Sequence, residues 1–170
     1  MNLISYHSSE IYSGELVNSH SKFFTSSCPG IPKGSLDTHL KDLSKIGIKI
    51  IYCLINYEEQ RKLNLINYSE KTKHLGIEFI SLPITDQSIP DPNLTIKLKR
   101  ILDEMVMNFK NNKTFLIHCK AGLGRTGMIT ALLLKKFNFT SSEAIKTVRN
   151  KKPGSIETKD QEKYVIEFEL

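Results

Sequence analysis

KTFLIHCKAGLGRTGMITALLL, residues 113–134, is the stretch whose reading decides the fold. Lys113-Thr114-Phe115-Leu116-Ile117 is a largely apolar run that reads as a buried strand. Met128-Ile129-Thr130-Ala131-Leu132-Leu133-Leu134 is too long and too apolar for a loop and predicts a buried helix. Between them the chain must turn within a few residues, and Gly122, Gly124 and Gly127 permit the tight backbone this needs. A short loop between a strand and a helix points several N–H groups into one concavity, where the helix dipole favours an anion. Arg125 adds a planar fork that can hold two oxygens of a tetrahedral anion. Cys119 opens the loop, with five residues between it and Arg125, and cysteines at helix N-termini beside cations act as thiolate nucleophiles. The stretch therefore predicts a phosphate cradle of Lys120, Ala121, Gly122, Leu123, Gly124 and Arg125, with Cys119 beneath it. Thr126 lies close enough in sequence to hydrogen-bond the sulfur as a leaving group, and His118 to hold the loop backbone.

The rest of the chain repeats the alternation. Ser35 or Gly34 opens a helix with Leu36, Leu40, Leu43 and Ile46 on one face, closed by Gly47. Residues 48–55 form a buried strand, 57–75 one or two helices, 77–84 a strand and 94–109 an amphipathic helix. Thr140-Ser-Ser-Glu143 is a capping box that starts another helix, Pro153-Gly154 breaks it, and a last helix runs over about 158–168. Residues 3–17, with Leu3, Ile4, Ile11, Tyr12, Leu16 and Val17, read as one or two short strands. The expectation is an α/β fold: a central twisted, mostly parallel sheet flanked by helices on both faces, its site at the C-terminal ends of the strands.

Composition agrees with one domain over residues 1–170: 39% of residues are hydrophobic and 25% charged. No run of 18 apolar residues predicts a membrane span, and the N-terminus lacks the pattern of a secretory signal. Three widely spaced cysteines, with no CxxC and no histidine cluster, suit a reducing, cytoplasmic setting and argue against a structural zinc; delivery into a host cell is an open alternative. Cys53 reads as core, with a regulatory disulfide to Cys119 as the alternative. The net charge is +6, and residues 118–170 hold ten Lys or Arg against six Asp or Glu. That charge suits anionic partners, but no nucleic-acid motif accompanies it.

Cleaving a phosphate ester needs a proton donor on the leaving oxygen. The strand over 77–84 ends in Thr85-Asp86-Gln87-Ser88-Ile89-Pro90-Asp91, so Asp86 and Asp91 are both candidates. The segment 118–127 resembles the signature loop of the cysteine-based protein tyrosine and dual-specificity phosphatases. Leu82-Pro83-Ile84-Thr85-Asp86 with Pro90-Asp91, and Cys28-Pro29-Gly30, are similar to the cyclin-dependent-kinase-associated phosphatase subgroup. Val148-Arg149 with residues 153–161 resembles the compact atypical and mitotic-exit subgroups. The resemblance implies Asp86 as general acid, Asp91 as a helix boundary, no cofactor or metal, a phosphorylated protein or peptide as substrate, and kinase docking as one partner. It also implies Gln161, and Glu157 in place of a second glutamine, as candidates to orient water; Thr158 with Gln161 reads equally as a capping box. A lipid phosphatase of the superfamily carries a second loop lysine where this chain has Leu123, which lowers a phosphoinositide function; a non-catalytic phosphate-binding module is the other alternative, disfavoured because nucleophile, arginine and a candidate acid are all present.

Overall fold

The computed structural model describes residues 1–11, 21–31 and 34–170. Its elements are β1 (Ile4–His7), α1 (Ser8–Ile11), β2 (Lys22–Ser26), α2 (Leu36–Lys45), β3 (Ile50–Cys53), α3 (Tyr57–Lys62), α4 (Tyr68–His74), β4 (Glu78–Ser81), α5 (Pro92–Lys110), β5 (Phe115–His118), α6 (Gly124–Lys136), α7 (Ser141–Lys151) and α8 (Lys159–Glu167). The sheet order is β1-β2-β5-β3-β4, with β1 antiparallel to β2 and every other neighbour parallel.

Register divides the side chains between two faces. Ile50 pairs with Phe115 and Tyr52 with Ile117, so these four share one face; Ile51, Cys53, Leu116 and His118 share the other. On the first face Phe23 stacks between Tyr6 and Phe115, at ring centroid distances of 4.7 and 5.2 Å, and Tyr52 meets Phe115 edge-on. Phe109 of α5 closes on Phe23, and Asn108 of α5 donates to the Tyr52 hydroxyl. Each aromatic contact adds roughly 0.5–1.5 kcal/mol beyond area burial. On the second face Tyr68 of α4 packs against Phe79 and His118. Both faces are therefore covered, which is why β3 and β5 are buried at all four positions. α6 is buried along nearly its whole length among α5, α7 and α8.

The termini of the helices follow their sequence signals. Ser35, Asp91 and Thr140 cap α2, α5 and α7 through their side chains, and Thr140 with Glu143 forms the anticipated capping box. Asp91 is thus a helix boundary. Three expectations differ. Residues 3–17 contain β1 but then turn into α1, and Tyr12, Leu16 and Val17 lie outside the described residues. β2, which has no long apolar run, went unread. The strand over 77–84 is shorter, but Leu82 and Ile84 still donate to Cys53 O and Leu54 O, carrying the chain onward beside β3 to the acid loop.

Candidate active site

β5 and β3 end side by side, with His118 beside Cys53 in register. The loop after β5 is drawn against its neighbours by Cys28 N–H to Lys120 O (3.0 Å) and Leu54 N–H to His118 O (2.9 Å). Gly122 has φ +73, and a Cβ there would collide with the Ser26 carbonyl, so the position requires glycine. Its N–H donates to Cys119 Sγ at 3.2 Å. Cys119 is 2% exposed, at the floor of the loop that opens α6. Lys120 is exposed, and Lys152 donates to Ala121 O at 2.8 Å from outside the loop. Burial lowers the Lys152 amine, while the nearby Cys119 and Glu157 act the other way.

His118 is fully enclosed. One ring nitrogen lies 3.2 Å from Cys119 O and the other 3.0 Å from the Tyr68 hydroxyl. Burial pushes its pKa down to about 4, so the ring is neutral near pH 7 and holds geometry rather than charge. Thr126 is buried and its hydroxyl has no hydrogen-bond partner among the described residues; the sulfur receives Gly122 N–H instead.

Arg125 is the organising cation. It is 1% exposed and donates four hydrogen bonds: to both carboxylate oxygens of Glu59 (2.7 and 3.0 Å), to Ile84 O (2.9 Å) and to Asp86 Oδ1 (2.7 Å). Burial alone would lower its pKa, but the Glu59 hydrogen bond, with Cys119 and Asp86, outweighs burial and raises it. Its Nε–H makes no hydrogen bond among the described residues. An anion that took Nε–H and the Nη2–H now on Asp86 would be held by two parallel bonds. Such an anion would displace the Asp86 carboxylate from Nη2.

Glu59 was not singled out in the sequence. Its Oε2 also accepts Asn56 N–H in a capping box that anchors α3, so the helix start places the carboxylate. The Asn56-x-x-Glu59 spacing was the available signal.

Glu157 and Gln161 do come to the loop. A Cβ on Gly124 would run into the Glu157 carboxylate and the Gln161 amide. Gln161 is buried; its Oε1 accepts Glu157 N–H and its Nε2 donates to Ser88 O. Thr158 caps α8, but the Gln161 side chain does not complete a capping box. Arg149 grips Ser155 O, Ile156 O and Glu162, an anchor for the segment after α7. All three cysteines are free and buried, and burial pushes Cys53 up to about 12 and Cys28 far above its ordinary value. Cys53 thus sits in the core, as its mid-strand place predicts.

The chain resembles known proteins over most of its length. It is 31% identical over 131 residues to human cyclin-dependent kinase inhibitor 3, covering 75% of this chain and 60% of that protein. It is 30% identical over 129 residues to the tyrosine-protein phosphatase CDC14 of Saccharomyces cerevisiae, covering 74% of this chain and 23% of that one. The chain thus spans less than two thirds of the length of these relatives. A crystal structure of kinase associated phosphatase (KAP), with its catalytic-site cysteine replaced by serine, superposes with a TM-score of 0.86 at 24% identity, over 98% of this chain and 93% of that one. Residues 25–165 match the family model described as PTP-SAK, Swiss Army Knife protein, DSP-PTPase phosphatase domain. A strand-loop-helix cradle holding Cys119 and Arg125, in a chain matched across that span, belongs to the DSP-PTPase phosphatase domain family, within the dual-specificity phosphatase superfamily.

Proposed function

We propose that residues 1–170 form one catalytic unit that hydrolyses phosphotyrosine, phosphoserine or phosphothreonine in a protein through a phosphocysteine intermediate. The observation that carries this reading is the meeting of Asp86 and Arg125 at 2.7 Å, from the loop after β4 and from the first turn of α6, just past the loop that holds Cys119. The Cys119 thiolate attacks phosphorus in line, forming the S–P bond as the ester P–O bond breaks. The loop amides of residues 120–125 and the Arg125 fork hold the remaining oxygens. Asp86 gives its proton to the departing oxygen, then takes one from the water that breaks the S–P bond and releases phosphate. Thr126 is the one loop hydroxyl left free to meet the sulfur as it departs. No metal or cofactor has a part in these steps.

A phosphoinositide substrate is not favoured: Leu123 stands where the lipid phosphatase has its second lysine. Kinase docking is the partner suggested by the names of the relatives, and the basic C-terminal third suits an acidic or phosphorylated surface. The three free thiols suit a reducing, cytoplasmic setting. No helix among the described residues is long and apolar enough to cross a membrane. The test is a panel of phosphotyrosine, phosphoserine and phosphothreonine peptides and phosphoinositides, run with the wild type and Cys119→Ser. Peptide hydrolysis abolished by the substitution supports the reading; turnover near wild type in Cys119→Ser, or hydrolysis confined to lipids, overturns it.

A further inference from the structure

We infer that α8 is the clamp that holds the acid loop over Arg125, with Gln161 as the positioning residue that sets Asp86. The inference deepens the proposed function and rests on Asp86 as the proton donor. Thr158, Gln161 and Tyr164 are spaced i, i+3, i+6, one stripe along the start of α8. Each reaches the acid loop or the helix that follows it. Thr158 Oγ1 lies 3.4 Å from Gln87 O, Gln161 Nε2 donates to Ser88 O at 3.2 Å, and the Tyr164 hydroxyl meets Thr95 Oγ1 at 2.9 Å. Thr95 Oγ1 in turn reaches Pro90 O at 3.5 Å.

The loop itself needs holding. Ser88 N–H closes a turn onto Thr85 O with Asp86 and Gln87 at its centre. Gln87 has φ +59, a conformation that costs a non-glycine residue roughly 1 kcal/mol or more and persists only where its surroundings enforce it. Gln161 supplies that enforcement from a site with no exposed surface, where water does not compete for its bonds. Its oxygen is committed to Glu157 N–H and one amide hydrogen to Ser88 O. Both ends of the amide are thus engaged by backbone, leaving one N–H and the second lone pair of Oε1. The side chain is therefore built to tie two backbone segments together, the hydrolysis segment and the acid loop.

Two substitutions separate the bonds. Gln161→Met keeps the length and removes both; Gln161→Glu keeps the acceptor for Glu157 N–H and loses the donor to Ser88 O. The measurement is kcat/KM for phenyl phosphate, whose leaving group needs the acid, beside dinitrophenyl phosphate, whose leaving group does not. Because general acid catalysis contributes roughly 10²–10⁴-fold, misplacing the acid should cost phenyl phosphate about tenfold to a hundredfold. Dinitrophenyl phosphate should hardly change, and the basic limb of the phenyl phosphate pH profile should flatten. Unchanged kcat/KM for both substrates, with a lower kcat and a burst of product, would assign Gln161 to the water step and overturn the clamp. Amide hydrogen exchange over 85–91 gives a readout independent of turnover: it should quicken in Gln161→Met, and equal exchange would overturn the clamp. Wild type inactive on both esters would instead remove the proposed function, leaving the exchange result to decide the clamp alone.

Discussion

Removing Glu59 should loosen the centre of the site more than any other single change outside the loop. Arg125 is 1% exposed, and two of its four hydrogen bonds end on Glu59, itself 18% exposed. Stripping one partner from a buried ion pair costs roughly 3–5 kcal/mol. Arg125 keeps Asp86 and Ile84 O, which places Glu59→Ala at the lower end, about 3 kcal/mol. Loss of the Asn56 N–H bond to Glu59 Oε2, the return half of the capping box, adds about 0.5 kcal/mol. For a domain of this size each kcal/mol moves Tm by ~2–4 °C, so a fall of about 10 °C is expected. The assay is urea unfolding of Glu59→Ala, Arg125→Met and the double variant, at equal slopes. The two single losses should fail to add, by about 2 kcal/mol or more. Additive losses, or a Glu59→Ala loss under about 0.5 kcal/mol, would refute the pairing as the support of Arg125.

Three further outcomes follow from other residues. Asp86→Asn leaves only a neutral amide oxygen on the Nη2–H, easier for an incoming anion to displace, and since Asp86 is half-exposed the gain is about 1 kcal/mol, or roughly fivefold tighter vanadate binding by calorimetry, with slower turnover of phenyl phosphate; weaker binding would contradict the competition. Burial holds His118 at about 4, below its ordinary 6.5, so the folded state refuses a proton the unfolded chain takes. Stability is complete above pH ~6.5 and is lost as the pH falls to ~4, by about 3 kcal/mol in all. Denaturation curves should show that loss in wild type and not in His118→Gln, and parallel pH dependence would refute it. Thr126→Val replaces an unpartnered buried hydroxyl and should leave stability unchanged or raise it by up to ~1 kcal/mol, while slowing phosphoenzyme breakdown; a loss above about 1 kcal/mol would show that the hydroxyl has a partner in the free protein.

The part of the molecule legible in the sequence is the part built from neighbours. Residues 113–134 carry strand, glycine loop and buried helix in one run, and Cys119 and Arg125 are placed by that run alone. Asp86 was readable because a strand end delivers it. Capping residues such as Asp91 and Thr140 act within three positions and could be read for the same reason. What escaped was set by distance along the chain. β2 has only Phe23 and Phe24 as apolar residues, and its strand exists because β1 and β5 pair with it on either side. Glu59 lies 66 positions from Arg125 in a Tyr-Glu-Glu-Gln run that reads as a solvent face. Gln161 reads locally as a water-orienting group or a cap, and its bond to Ser88 spans 73 positions. Tyr68 beside His118 is a pairing of the same kind. A buried arginine demands acids around it, but periodicity does not say which.

The phosphocysteine is the point on which the account stands, and rapid quenching tests it directly. Wild-type protein mixed with a radiolabelled phosphopeptide and quenched within one turnover should carry label on the peptide containing Cys119, at sub-stoichiometric to stoichiometric level. Asp86→Asn should still label, because it retains the nucleophile, and Cys119→Ser should not. Label absent from the wild type during turnover, or found on any residue other than Cys119, would contradict the account.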